Sequence, residues 1–205
     1  MTNRLFFVGI LVLAIALYCN SGCSRAPSRV KPPSIDAKAA GAAAMEQYDA
    51  NQDGKIDGVE LEKAPSLKAA LANLDNSNDK SVDADEVTKR IEAWHESKKG
   101  LMSVMTMVTI GGRPLAGATV VFEPEAFLGP NIKQATGTTN EQGVALMRIE
   151  GADSPGVAPG LYLVRITNEG MNLPTKYNTE TILGAEVAAD ADYTKRNLDG
   201  PKFNL

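Results

Sequence analysis

The stretch that decides the fold of the first half of this chain reads Asp49-Ala50-Asn51-Gln52-Asp53-Gly54-Lys55-Ile56-Asp57-Gly58-Val59-Glu60. Oxygen-bearing side chains stand at its first, third, fifth and ninth positions, and a glutamate closes it. Gly54 stands in the middle, where a sharp turn needs a positive φ that is cheap only without a Cβ. The stretch therefore predicts a tight acidic loop between two helices.

Every ligand position of a calcium loop of the EF-hand type is filled here. Calcium takes about six to eight oxygen ligands, which the EF-hand supplies from positions 1, 3, 5, 7, 9 and 12 of a twelve-residue loop. The candidate ligands are Asp49, Asn51, Asp53, Lys55 through its backbone carbonyl, Asp57 through a water, and Glu60 with both oxygens. The alternative is an Asp/Asn/Gly-rich surface turn that binds nothing, which so many filled positions at fixed spacing disfavour.

A second loop at residues 75–86 matches the same pattern less well. Its Val82 supplies an apolar position 8 that would pair with Ile56 of the first loop. Lys80 replaces glycine at position 6, where a lysine at positive φ costs about 1–2 kcal/mol. Two interpretations stay open, a weaker calcium site or a degenerate loop that only supports its neighbour. The candidate ligands are Asp75, Ser77, Asp79, Ser81, Asp83 and Glu86.

Helical patterns flank both loops. Residues 39–48 are Ala-rich and helix-prone, and Pro65 with Ser66 forms a helix start signal before the next apolar stripe. That stripe has apolar residues at i, i+3, i+4 and i+7, and a third follows the second loop at i, i+4 and i+7. The stripes comprise Leu67, Ala70, Leu71 and Leu74, and then Val87, Ile91 and Trp94. The first half of the chain is thus predicted to be a helix–loop–helix pair.

The N-terminus predicts export and a lipid anchor. Arg4 precedes the apolar run 5–18, which is too short to span about 30 Å of hydrocarbon and is typical of a signal peptide. Small residues then precede Cys23, as in a bacterial lipoprotein signal, although Asn20 stands where a leucine is usual. Ordinary cleavage to a secreted protein and an uncleaved signal anchor are the alternatives. The Pro/Ser-rich, basic segment 23–36 is predicted to be a disordered tether.

Composition excludes several function classes. The chain has 205 residues, a net charge of −4 and 1 His, so nucleic acid is not an expected partner. Both cysteines, Cys19 and Cys23, lie in or next to the predicted signal, which leaves the mature fold without disulfides. The sequence contains no G-x-S-x-G, H-E-x-x-H or Gly-rich phosphate motif, and ligation already explains the clustered carboxylates. We therefore expect no enzyme activity.

The second half changes to a β pattern. Short β-prone runs are bounded by Gly, Pro and Asn turns, and Tyr162, Val164 and Ile166 alternate with other side chains as in a half-buried strand. Such spacing predicts a small antiparallel sandwich. The predicted strands are 101–110, 118–124, 134–139, 144–150, 161–167, 175–178, 180–187 and 202–205.

Three motifs of this half resemble carboxypeptidase regulatory-like, transthyretin-like domains. Gly112-Arg113-Pro114-Leu115-Ala116-Gly117-Ala118-Thr119-Val120 is similar to their G-x-P-l-x-G-A-x-V opening, 139–143 to their T-D-x-x-G hairpin turn, and 159–164 to their P-G-x-Y-x-v strand. The tail, with 173–178 and 203–205, resembles short lipoproteins of planctomycete-type bacteria. The resemblance implies a transthyretin-like or Ig-like sandwich with a binding or spacer role, and no substrate.

The sequence as a whole predicts an α+β multidomain protein. Its parts are a lipoprotein signal peptide (1–22), a tether (23–36), an EF-hand pair (37–99) and a β-sandwich (100–205), and we expect the last two to melt separately. The predicted function is a calcium-binding cell-envelope lipoprotein, on the periplasmic or cell-surface face, that serves as a structural or partner-binding module. The alternative is a glycan- or peptidoglycan-binding surface protein in which calcium is only structural. The expected partners are calcium, a membrane reached through the lipid, and an envelope protein or glycan.

Overall fold

A computed structural model describes residues 30–205 of the chain. The predicted signal peptide 1–22 and the predicted lipidation site Cys23 lie outside the described residues. No helix in the described range is both long and apolar enough to cross a membrane. Helices and two sheets occur together, so the predicted α+β class is confirmed at that level.

The first half of the described chain is helical. Asp36 starts the first helix by accepting a hydrogen bond from the Ala39 N–H at 3.0 Å, and proline stands at the first position of the third helix. Asp83 and Glu86 start the fourth helix with a reciprocal capping box. The helices are α1 (Ala37–Tyr48), α2 (Gly58–Lys63), α3 (Pro65–Leu74) and α4 (Ala84–Ser97), and a short α5 (Asp192–Lys195) follows near the end of the chain.

The second half forms two sheets. One sheet holds β1, β2, β5 and β9, and the other has the order β6-β4-β3-β7-β8. In β7 the predicted alternation is confirmed, because Tyr162, Val164 and Ile166 are each 0% exposed. The strands are β1 (Met105–Ile110), β2 (Arg113–Pro114), β3 (Ala118–Pro124), β4 (Ala135–Thr138), β5 (Val144–Leu146), β6 (Arg148–Ile149), β7 (Gly160–Asn168), β8 (Gly184–Val187) and β9 (Lys202–Asn204).

Four expectations about the strands are wrong. The predicted strand 144–150 is two strands in different sheets, because β5 pairs with β1 and β6 pairs with β4. The sheets are not purely antiparallel, because β9 pairs parallel to β1. The run 175–178 contains a 3₁₀ turn, Thr175–Tyr177, and no strand. The segment 139–143 is no hairpin turn, since β4 before it pairs with β3 and β6 while β5 after it pairs with β1 in the other sheet. It is therefore a corner where the chain passes from one sheet to the other.

The helical half and the sheets share one hydrophobic core. Buried side chains of both halves belong to a single cluster, in which α3 lies against β7 and β8, and α1 lies against the 3₁₀ turn Ala126–Leu128. This shared core argues against the expectation that the two halves melt separately. Separating the two halves would expose apolar surface on both, and each Å² exposed would cost about 25 cal/mol of free energy.

The last residues of the predicted tether also pack on the fold. Ile35 is 7% exposed, and the Ser34 carbonyl accepts a hydrogen bond from the Asn131 side chain at 2.8 Å. Pro32, Pro33 and Ile35 lie beside Trp94 of α4. The prediction of a disordered tether is therefore wrong for its described end, residues 30–36, where proline rings and an isoleucine find apolar contacts.

Candidate metal centre

The two acidic loops lie side by side and are joined by a short β bridge. The Ile56 N–H donates to the Val82 carbonyl at 2.8 Å, and the Val82 N–H donates to the Ile56 carbonyl at 3.1 Å. Both side chains are 0% exposed, which confirms the predicted pairing of these apolar positions. The bridge therefore holds the two loops together at their middle.

Loop 1, residues 49–60, is held by hydrogen bonds from its own backbone to its side chains. Asp49 Oδ2 accepts the Gly54 N–H at 2.9 Å, and Asp49 Oδ1 accepts the Asp53 N–H at 3.2 Å. Asn51 Oδ1 also accepts the Asp53 N–H, at 2.9 Å. Gly54 has φ +86°, the left-handed conformation expected of it. The three predicted ligands of positions 1, 3 and 5 therefore gather at the start of the loop.

Glu60 closes loop 1 with one oxygen satisfied and one not. Its side chain comes from α2 and is 6% exposed. Its Oε1 accepts the N–H groups of Ala50 at 2.8 Å and Asn51 at 3.0 Å. Its Oε2 is buried and has no hydrogen-bond partner. A buried carboxylate oxygen without a partner is costly, at about 1–3 kcal/mol or more for a charged group, and a cation beside the loop start would remove that cost.

The two remaining ligand positions of loop 1, Lys55 and Asp57, are exposed. Lys55 donates its backbone N–H to Asp53 Oδ1 at 3.0 Å. Asp57 precedes α2 as its N-terminal cap residue but makes no side-chain cap hydrogen bond. The Asp57 carboxylate is thus free of a helix-capping role, as a ligand acting through water requires.

Loop 2, residues 75–86, repeats the arrangement. Asp75 accepts the N–H groups of Asp79 and Lys80 at 3.1 and 2.9 Å, and the Ser77 hydroxyl donates to Asp75 at 3.2 Å. Lys80 has φ +67°, so the lysine adopts the strained conformation that the sequence predicts for position 6. Asp83 caps α4 and Glu86 is 4% exposed. The Ser81 hydroxyl donates to Asp79 at 2.5 Å.

The donor chemistry of both loops fits a hard cation, since every predicted side-chain ligand offers oxygen. Within residues 30–205, no three His, Cys, Asp or Glu side chains form a ready-made metal cluster. Most loop carboxylates accept backbone N–H groups, and calcium loops draw further ligands from an amide, a carbonyl and water. The arrangement therefore offers an adaptable oxygen site and not a rigid cage.

A buried glutamate of the sheet half, Glu125, contacts α1, which leads into loop 1, and α3, which leads into loop 2. It lies just after β3, is 1% exposed, and accepts hydrogen bonds from Gln47 at 3.2 Å, Tyr48 at 2.9 Å and Ser66 at 2.5 Å. Burial raises the pKa of the Glu125 carboxyl. Burial and the neighbouring Glu125 also raise the pKa of the Tyr48 phenol. Tyr48 immediately precedes the first ligand position, so this contact reaches the edge of loop 1.

A second buried glutamate, Glu186 of β8, contacts both helices that flank loop 2. It is 5% exposed and accepts hydrogen bonds from Asn73 of α3 at 2.8 Å and from Trp94 of α4 at 3.2 Å. Arg90 of α4 donates to it at 2.5 Å and forms a second pair with Asp190 at 2.7 Å. The Arg90 guanidinium lowers the pKa of the Asp190 carboxyl.

Sequence reasoning missed these two bracing glutamates. Nothing in the local pattern around Glu125 or Glu186 marks them, because their partners lie far away along the chain. Comparison with family models, with curated proteins and with solved structures finds no match for this chain.

Proposed function

We propose that this chain is a non-catalytic, calcium-binding lipoprotein of the cell envelope that serves as a structural or partner-binding module. Its helical half is proposed to be an EF-hand pair and its sheet half a transthyretin-like sandwich. The observation that carries the calcium proposal is Glu60, whose buried Oε2 lacks a partner at the mouth of loop 1. The residue stands at the position where a calcium loop needs a carboxylate with two coordinating oxygens.

Calcium is favoured over magnesium by the nature of the ligands. Magnesium demands near-ideal octahedral geometry at about 2.0–2.1 Å and gives up its waters reluctantly, whereas calcium accepts irregular oxygen shells. Loop 1 offers carboxylates, one amide and a backbone carbonyl on an exposed, adaptable turn. Extracellular calcium modules bind with Kd of about 10⁻⁴–10⁻³ M, which is the range we expect here.

The bracing glutamates support a rigid, structural role for the metal. Large opening of a helix pair requires the helices flanking a loop to move apart, as in calcium sensors. Here Glu186 binds residues of both helices flanking loop 2, and Glu125 joins α1, before loop 1, to α3. We infer that calcium stiffens the helical half against the sheets and exposes no new groove.

The test of the metal is calorimetric titration of the full chain with calcium and, separately, with magnesium. The wild type should bind calcium, and Glu60→Gln should lose loop 1 binding because it removes the carboxylate charge and one strong ligand. Glu62→Gln is the matched control, since Glu62 lies two residues further along α2, is exposed and forms its ion pair with Lys68. Unchanged calcium binding in Glu60→Gln would refute the assignment.

Attachment through Cys23 is a separate part of the proposal. A lipid on this cysteine would supply the membrane anchor once the signal is cleaved, because stable attachment needs acyl chains. Cys23→Ser should therefore move the protein from the membrane fraction to the soluble fraction, and mass spectrometry should find a lipidated N-terminal Cys23 in the wild type. Cys19→Ser is the control and should leave the distribution unchanged.

The alternative, glycan binding, has one observation in its favour. A cleft of about 270 Å³ lies between α3, β8, α5 and the chain end, and its lining includes Tyr193, Arg196 and Phe203. The Tyr193 hydroxyl is buried without a partner, and burial raises its pKa to about 12. Binding to envelope glycans that persists in chelator and is lost in Tyr193→Ala would favour this function. Calcium-dependent capture of one envelope protein would favour the module.

A further inference from the structure

The two loops differ in whether both oxygens of the closing glutamate have hydrogen-bond partners. In loop 2, Glu86 Oε1 accepts the N–H groups of Asn76 at 2.9 Å and Ser77 at 3.1 Å, as its counterpart does in loop 1. Its second oxygen, Oε2, accepts the Asp83 N–H at 3.2 Å, whereas Glu60 Oε2 has no partner. Both buried carboxylates close a loop, but only that of loop 1 has an oxygen left without a partner.

A cation of this chain already lies in loop 2. Lys55 extends from loop 1 and places its ammonium 2.5 Å from Asp79 Oδ2, at position 5 of the other loop. The other oxygen, Asp79 Oδ1, accepts the N–H and the hydroxyl of Ser81 at 3.0 and 2.5 Å. Asp79 therefore has a partner at each oxygen, one of them a positive charge.

Position 7 of loop 1 suits a residue whose side chain reaches into loop 2. A calcium loop uses only the backbone carbonyl at position 7, so the Lys55 side chain takes no part in ligation of its own loop. An ammonium is a compact point charge with three donors on a flexible stem, which lets Lys55 cross the bridge between the loops. A metal in loop 2 would compete with this ammonium for Asp79 Oδ2, and Lys80 adds backbone strain at position 6.

We propose that the helical pair binds one calcium ion, at loop 1, and that Lys55 is the built-in cation of loop 2. Loop 2 then keeps its shape without metal and supports loop 1 through the Ile56–Val82 bridge. The proposal rests on the proposed function, which it narrows from a calcium pair to a single site. It assigns Lys55 as the residue that sets the number of bound ions.

The experiment is calorimetric titration of the full chain with calcium, in the wild type and four variants. The wild type and Glu86→Gln should each bind one ion, and Glu60→Gln should bind none. Lys55→Gln should bind two ions, because it frees Asp79 without changing a ligand. Lys63→Gln is the matched control, since it removes one exposed lysine of α2 and should leave one ion bound.

Amide resonances assign the ions to the loops. The N–H groups of Gly54 and Lys80 each donate to the first aspartate of their loop at 2.9 Å, so metal on that carboxylate should shift them. In the wild type, calcium should shift the Gly54 resonance and leave that of Lys80 in place. In Lys55→Gln both should shift, and in Lys55→Arg, which keeps the cation, only Gly54 should.

The outcomes separate this proposal from the function on which it rests. Two ions bound by the wild type would overturn the single-site proposal and leave calcium binding intact. One ion in a folded Lys55→Gln variant would overturn the role of Lys55. No ion in the wild type would refute the proposed function itself. If Lys55→Gln unfolds without calcium, the Lys55→Arg spectrum and the Glu86→Gln stoichiometry still decide the question.

Discussion

At the scale of single residues, the lysine that ends α4 is in a conformation that suits glycine. Lys98 has φ +54° and follows the last helical residue, where a left-handed residue commonly ends a helix. Lys98→Gly should therefore raise the free energy of unfolding by about 0.5–1 kcal/mol, because strain relief exceeds the entropy that glycine adds to the unfolded chain. Urea denaturation measures this change. Lys89→Gly, in the exposed middle of α4, is the control and should lower stability by about 1 kcal/mol.

The buried Glu125 predicts a particular dependence of stability on pH. Its pKa is raised in the folded state by burial. A raised pKa means that the folded state holds the proton more tightly, so the contribution is fully present below the ordinary carboxyl pKa and is lost as pH rises through the folded value. Glu125→Gln, which mimics the protonated acid, should therefore gain stability relative to the wild type as pH rises from about 4.5 to neutral. Urea denaturation across this range tests it, and a difference that does not vary with pH would contradict it.

What the sequence reveals at this scale depends on distance along the chain. The loop ligands and the Ile56–Val82 pair follow from spacing within or between neighbouring turns, and the structure brings them together. Glu125 and its partner Ser66 are 59 positions apart, and Glu186 and Asn73 are 113 apart. Those pairs form only in the folded chain. In the sequence alone, neither glutamate can be told from an ordinary charged surface residue.

At the scale of elements, one glycine allows α1 and α4 to approach closely. A Cβ on Gly41 would lie 2.4 Å from the Ala84 carbonyl oxygen and 2.6 Å from the Thr88 hydroxyl. Gly41→Ala would raise helix propensity, but we expect it to destabilise the protein by about 1–3 kcal/mol, because backbone of α4 must shift. Thermal denaturation measures whether Gly41→Ala lowers or raises the stability of the protein. Ala42→Gly, at an exposed position of the same helix, is the control for propensity and should cost about 1 kcal/mol.

Strands are predictable where side chains alternate and unpredictable where turn chemistry decides. The strand Ala118–Pro124 is found where the sequence places it. In 175–178, the Asn178 side chain donates to the carbonyls of Leu173 and Pro174. These local hydrogen bonds take the place of the strand-to-strand hydrogen bonds of a sheet. At the corner 139–143, Gly143 has φ +73°, and a Cβ there would lie 2.4 Å from the Val108 carbonyl. That close approach is to the other sheet, which no local motif reveals.

At the scale of the whole molecule, one buried ion pair joins the helices to the sheets. The side chains of Arg90 and Glu186 are 6% and 3% exposed, and removing one partner leaves the other buried without its counter-charge. Arg90→Met should therefore lower the free energy of unfolding by about 3–5 kcal/mol in urea denaturation. Arg196→Met is the control, since its pair with Asp192 is exposed and should cost less than about 1 kcal/mol. Equal losses of unfolding free energy in the two variants would show that the buried ion pair stabilises the protein no more than the exposed pair does.

The shared core also decides how calcium acts on the sheets. Separate cores would confine its stabilising effect to the helical half, as the division of the sequence suggests. Because α3 packs on β7 and β8, and both bracing glutamates come from the sheet half, we expect one unfolding transition. Calcium at a hundred times Kd should then add about 2.7 kcal/mol to the free energy of global unfolding. Hydrogen exchange of the slowest β7 amides measures it, and Glu60→Gln is the control that should show no gain. Protection that rises in α1 to α4 while β7 stays unchanged would show that the halves unfold independently despite their contacts.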